Sequence, residues 1–160
     1  PPHKTREKVS PSEIRVEMTR AALAGDTAFE VSTAELGRAG PTYTVDTLRY
    51  FREVHSEAEL FFLMGADQLA EFHEWHDPDS ILDLATLVVV AREGVSPEDV
   101  APLRLESGRT VPFQVLEAPR VDLSSSDIRH RVRSELSIRY LVPDDVRRVI
   151  ETHGLYRLIS

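Results

Sequence analysis

Two apolar runs constrain the fold more than anything else in the chain: Leu60-Phe61-Phe62-Leu63-Met64-Gly65 and Thr86-Leu87-Val88-Val89-Val90-Ala91. Continuous runs of this length suit parallel strands covered on both faces, because no polar residue alternates within them. Pro112 to Leu116 reads as a further strand, and Ala28 to Val31 as a short earlier one. Helical patterns fill the intervals. Ser10, Pro11 and Glu13 read as cap, first helical residue and capping box of a helix with Ile14, Met18, Ala21 and Ala22 on one face, stopped at Gly25. After a loop from Leu36 to Pro41, Thr44 reads as the cap of a helix carrying Val45, Leu48, Phe51 and Val54. Ala66 to Phe72 suits a short helix, and Asp77-Pro78-Asp79-Ser80 opens another with Ile81, Leu82 and Leu84. Two more run from Ser124 to about Ser134 and from Pro143 to His153, where Gly154 ends the helix. Arg92 to Thr110 is the most loop-like stretch. Strands alternating with helices argue an α/β layer fold with a mainly parallel sheet.

The 160 residues suit one domain spanning 1–160, without repeat or internal boundary. No apolar run approaches the roughly 18 residues of a membrane span, and no secretory signal pattern is expected at the start. Cysteine is absent, which removes disulfides, thiolate nucleophiles and cysteine-type zinc sites together and fits a reducing compartment. Acidic residues exceed basic ones by 27 to 19, a net charge of −8. That balance argues against a broad nucleic-acid footprint, so an anionic ligand must meet a local cluster of positive charge.

In an open parallel sheet, ligands sit beyond the carboxyl ends of the strands. The polar residues expected there are Gly40-Pro41-Thr42-Tyr43-Thr44, Gly65-Ala66-Asp67 and the run from Val121 to Arg129, three loops that would converge on one crevice. Ser124, Ser125 and Ser126 stand at a helix start, where unpaired backbone N–H groups favour an anion, and Arg129 lies one turn further. The plainer reading of the serines is a well-provided N-cap, with Arg129 in a surface ion pair. Asp67 could accept hydrogen bonds from a ribose, or simply be a helix-start acid. Trp75, the one tryptophan, sits in Phe72-His73-Glu74-Trp75-His76 and could stack a planar heterocycle or serve as ordinary packing. His3 and Lys4 could meet a phosphate, or be solvated terminal residues. His73, His76 and Asp77 do not match a zinc spacing, and no metal site is assigned.

Taken in order, Pro1-Pro2-His3-Lys4, Gly40-Pro41-Thr42-Tyr43-Thr44-Val45-Asp46-Thr47-Leu48, Gly65-Ala66-Asp67, Trp75, Leu123-Ser124-Ser125-Ser126-Asp127-Ile128-Arg129 and Gly154-Leu155-Tyr156 resemble bacterial nicotinate-nucleotide adenylyltransferases over nearly the whole chain. The serine segment is similar to that family's ISSTxIR motif, with Leu123 for Ile and Ser126 for Thr; Arg92-Glu93-Gly94 resembles its Arg-Pro-Gly, with Glu93 for Pro. The family's opening GTFDPxHxGH turn is not in the chain. An N-terminally incomplete Rossmann-like fold is therefore expected, with helices on both faces of the sheet and its first strand–helix unit, on the order of thirty residues, missing.

The resemblance implies adenylyl transfer from ATP to nicotinate mononucleotide, giving deamido-NAD, an NAD-type product, and pyrophosphate, with Mg²⁺ on the ATP phosphates and no tightly bound cofactor. It implies ATP contacts from Lys4, Gly65, Asp67, Ser124, Ser125, Ser126, Ile128 and Arg129, of which Ser125 and Arg129 would be catalytic. Tyr43, Thr44, Trp75 and His76 would form the pyridine pocket, His76 standing where relatives often have Tyr. The setting implied is cytoplasmic, with small-molecule partners, neither membrane nor nucleic acid, and a homo-oligomer left open. Two alternatives remain. One is a sister adenylyltransferase acting on nicotinamide mononucleotide or phosphopantetheine, the latter disfavoured by Trp75 and the Tyr43-Thr44 loop. The other is a non-catalytic nucleotide-binding module that lacks the chemistry of the HxGH turn.

Overall fold

The computed structural model describes residues 10–90, 103–119 and 121–157. Chain contacts divide into two compact units, one comprising Gly40–Arg120 and the other Pro1–Ala39 with Val121–Ser160.

The Gly40–Arg120 unit is built on three parallel strands in the order β1 (Phe61–Gly65), β2 (Thr86–Val90) and β3 (Phe113–Leu116). Register pairs Phe62 with Leu87 and Met64 with Val89, which sets all four on one face. On that face Met64, Leu87 and Val89 are buried among residues of the helices α2 (Thr44–Val54), α3 (Ala66–Ala70) and α4 (Pro78–Leu84) and the turn after α3, with Val45, Leu69, Phe72 and Ile81 at 0% exposure. On the other face Phe61 and Leu63 remain 47% and 58% exposed, so the apolar continuity of the first run is spent on one covered side. The strands fall where the apolar runs lie, but the expected cover on both faces is met on one face only at β1 among the described residues.

The second unit holds α1 (Ser12–Ala22), α5 (Ser125–Arg133) and α6 (Asp144–Thr152). Ile128, Ile138, Val146 and Ile150 form its core, with Met18, Ala21 and Tyr156 packed on it. His153 Nε2 meets Glu17 Oε2 at 2.9 Å, joining α1 to the end of α6.

Four local expectations are corrected. Ala28 to Val31 is not a strand: the Asp26 side chain takes the Ala28 N–H at 2.9 Å, a turn bond that diverts it from any ladder, and Phe29 is 61% exposed. Ser10 does not cap α1. Pro11, in extended conformation, is the N-cap residue, its C=O accepts the Arg15 N–H at 3.1 Å, and no side chain closes a capping box. Thr44 is the first residue of α2 rather than its cap; Tyr43 holds the cap position, and its C=O accepts from Asp46 and Thr47. The helix expected from Ala66 to Phe72 ends at Ala70, and a separate 3₁₀ turn covers Phe72–Glu74.

Candidate active site

At the carboxyl end of β1 the strand runs directly into α3, with Gly65 as the N-cap residue. The Gly65 N–H donates to Gln68 Oε1 at 3.2 Å, and Asp67 lies exposed in the first helical turn. A β-carbon on Gly65 would meet Asp67 Oδ1, so the glycine lets that carboxylate lie against the backbone. Asp67 is the flexible partner in this contact. Gly65→Ala is therefore expected to cost little stability, below about 1 kcal/mol, while turning Asp67 aside. Thermal melting checks the cost in stability.

Tyr43, at the start of α2, stacks on His76 with ring centroids 4.1 Å apart and planes inclined by 29°. Thr44 follows, half-buried. Trp75 is half-buried against the core, edge-on to Phe62 at 5.8 Å and tilted over Phe72 at 5.4 Å. Packing accounts for part of that ring's surface. Asp77 follows in left-handed conformation (φ 52°, ψ 58°) and caps α4, its carboxylate accepting the Ser80 N–H at 3.3 Å. Hydrogen bonds from Ser80, then from Arg49, hold Asp77 below the ordinary aspartate range. Arg49 is the residue that sequence reasoning missed: its Nη2 lies 2.8 Å from Asp77 Oδ2. Asp46 one helical turn earlier hints at an ion-pairing arginine, but it does not identify the distant partner. His73 turns elsewhere, its Nδ1 at 3.1 Å from Ala70 O. Among the described residues no group of three or more His, Asp or Glu could hold a metal ion.

In the other unit, Ser124 caps α5 through a closed capping box. Its hydroxyl accepts from the Asp127 N–H at 3.0 Å, and its own N–H donates to Asp127 Oδ2 at 3.1 Å. The N-cap reading thus describes Ser124. Ser125 and Ser126 do something different: their hydroxyls accept from Arg129, Nη1 to Ser125 Oγ at 3.4 Å and Nη2 to Ser126 Oγ at 3.0 Å. The guanidinium is braced along the first turn of a nine-residue helix, where the dipole and N–H groups already favour negative charge. The Ile128 side chain is buried in the core of this unit, and its N–H is taken by the Ser124 C=O at 3.2 Å, so it anchors the helix instead of facing a ligand. Lys4 and Arg92-Glu93-Gly94 lie outside the described residues.

The Ser124 hydroxyl and N–H both hold the Asp127 carboxyl below the ordinary value of 3.8. A depressed carboxylate stabilises the folded state fully above its unfolded pKa, and that contribution is lost as pH falls through the folded value. The α5 cap is accordingly expected to weaken only on the acid side of 3.8. Acid titration followed by circular dichroism checks this, with Asp127→Asn giving a flatter acid limb.

A parallel α/β sheet with a glycine–acid turn at a strand end, together with an arginine-bearing helix start, defines a nucleotide-handling class of protein. Comparison with known proteins narrows it. The Cytidylyltransferase-like family profile matches residues 1–131. The probable nicotinate-nucleotide adenylyltransferase of Geobacillus kaustophilus is 43% identical over 98% of this chain and 68% of its own length. That of Thermus thermophilus is 46% identical over 98% of this chain and 78% of its own. A solved structure, Plasmodium falciparum nicotinic acid mononucleotide adenylyltransferase complexed with APC, shares the fold at TM-score 0.71 and 16% identity, over 94% of this chain and 78% of that one. The chain belongs to the cytidylyltransferase-like family, and within it to the nicotinate-nucleotide adenylyltransferases.

Proposed function

We infer that this protein transfers the adenylyl group of ATP to nicotinate mononucleotide. The 5′-phosphate oxygen of the mononucleotide attacks the α-phosphorus of ATP; the bond to the bridging oxygen breaks, releasing pyrophosphate and leaving deamido-NAD. The observation that carries the reading is Arg129, braced by Ser125 and Ser126 on the first turn of α5, which suits charge on a transferring phosphate. The inventory of the chain supports positioning and charge neutralisation and offers no cysteine nucleophile.

In this reading Ser124, Ser125, Ser126, Arg129 and Lys4 bind the ATP phosphates, Ile128 anchors the helix that presents them, and Gly65 and Asp67 contact the ATP ribose. Tyr43, Thr44, Trp75 and His76 take the pyridine ring. ATP arrives with Mg²⁺, which keeps most of its water and asks few ligands of the protein. The hydroxyl and guanidinium groups here suit the phosphates of such a complex. Residues 1–160 belong to one nucleotidyltransferase domain. No helix among the described residues is long and apolar enough to cross a membrane, which suits a cytoplasmic enzyme of small-molecule substrates.

The direct test is deamido-NAD formation from ATP and nicotinate mononucleotide by the purified enzyme, followed by chromatography. Product in stoichiometric step with pyrophosphate is the expected result. A kcat/KM higher for nicotinamide mononucleotide would reassign the acceptor, and nucleotide binding without product would leave a binding module.

A further inference from the structure

We propose that Arg49 is a positioning residue for the pyridine pocket, clamping Asp77 so that the Trp75-His76-Asp77 segment is held against the start of α2. The proposal rests on the pocket reading above. Asp77 adopts a left-handed backbone at φ 52°, a conformation uncommon outside glycine that Asp tolerates when its carboxylate is tied in place. Two ties hold it here, one on each carboxylate oxygen. Ser80 N–H donates to Oδ1 at 3.3 Å, and Arg49 Nη2 donates to Oδ2 at 2.8 Å. The first tie stays within α4, whereas the second comes from α2.

Arg49 does not reach Asp77 as an isolated cation. Its Nη1 lies 3.3 Å from Asp46 Oδ1, and its Nη2 also approaches Ser80 Oγ at 3.4 Å. Asp46 belongs to the first turn of α2, and its N–H bonds the Tyr43 C=O at 3.2 Å. The same two segments are therefore joined twice, by the Arg49–Asp77 pair and by the Tyr43–His76 stack at 4.1 Å. Releasing the pair loosens Asp77 in its left-handed conformation. The residues that must move with it are its immediate predecessors, His76 and Trp75.

The test is a steady-state comparison of Arg49→Ala, Arg49→Lys, Asp77→Asn and Trp75→Ala in the purified enzyme. Arg49→Ala should raise KM for nicotinate mononucleotide roughly three- to fivefold, the ratio a partly exposed charge pair can supply, with kcat and the KM for ATP unchanged. Arg49→Lys should recover part of the loss, and Asp77→Asn should match Arg49→Ala. Arg49→Ala combined with Asp77→Asn should be no worse than either alone, because both remove the same pair. If Trp75→Ala raises the mononucleotide KM and Arg49→Ala does not, the clamp is refuted and the pocket stands. A fall in melting temperature with both KM values intact would likewise refute it, making the pair purely structural. If Trp75→Ala moves only the KM for ATP, the pocket assignment itself fails, and the clamp with it.

Discussion

Arg129→Ala is expected to lower kcat by about 10²–10³-fold, the usual loss when one preorganised charge donor to a transition state is removed. The side chain is held by two serine hydroxyls on its own helix, so its orientation is set before substrate arrives. Truncation should leave the helix standing, since the capping box of Ser124 and Asp127 is untouched and Ile128 keeps its place in the core. Saturating kinetics alongside a melting curve separate the two effects. A kcat within a few-fold of the parent would remove Arg129 from the reaction and return it to the role of a surface cation. Ser126→Ala gives a graded companion, since it loosens the arginine without removing its charge.

Trp75→Ala carries the second large effect, a loss of about 1–3 kcal/mol in binding the pyridine nucleotide, as judged from stacking of bases on aromatic side chains. The loss should fall on KM for the mononucleotide and spare KM for ATP. Part of this ring rests on Phe62 and Phe72, so truncation also opens a gap in the packing. Trp75→Phe resolves the ambiguity: it keeps a ring against both neighbours while reducing the stacking face. An intermediate KM with an unchanged melting temperature is the expected outcome for that variant.

Much of the architecture was legible because local chemistry and tertiary need agree. The two apolar runs became β1 and β2, Asp77-Pro78 began α4, and Ser124 capped α5 as a serine run at a helix start suggests. Failures occurred where one local signal was outvoted. Ala28–Val31 reads as a short strand, but the Asp26 side chain captures a backbone N–H there. Pro11 serves as well at the cap position of α1 as one residue further in, so the boundary slipped. The site was less legible than the fold. Motifs pointed to Ser125, Arg129 and Trp75 singly, whereas the bonds that orient them depend on which residues the fold brings close. The serines that brace Arg129 lie within one helical turn and could be guessed. Arg49 and Asp77 are separated by 28 positions, and no periodicity links them.

The position of Trp75 also equips the chain with an optical reporter. It is the one tryptophan among 160 residues, half-buried between two phenylalanine rings and next to His76. Selective excitation of the indole therefore samples a single environment in this chain. An electron-poor pyridinium brought against it would quench its emission, whereas ATP bound elsewhere would not. Occupancy of each substrate could thus be followed without a label, and the order in which the two enter read from the light alone.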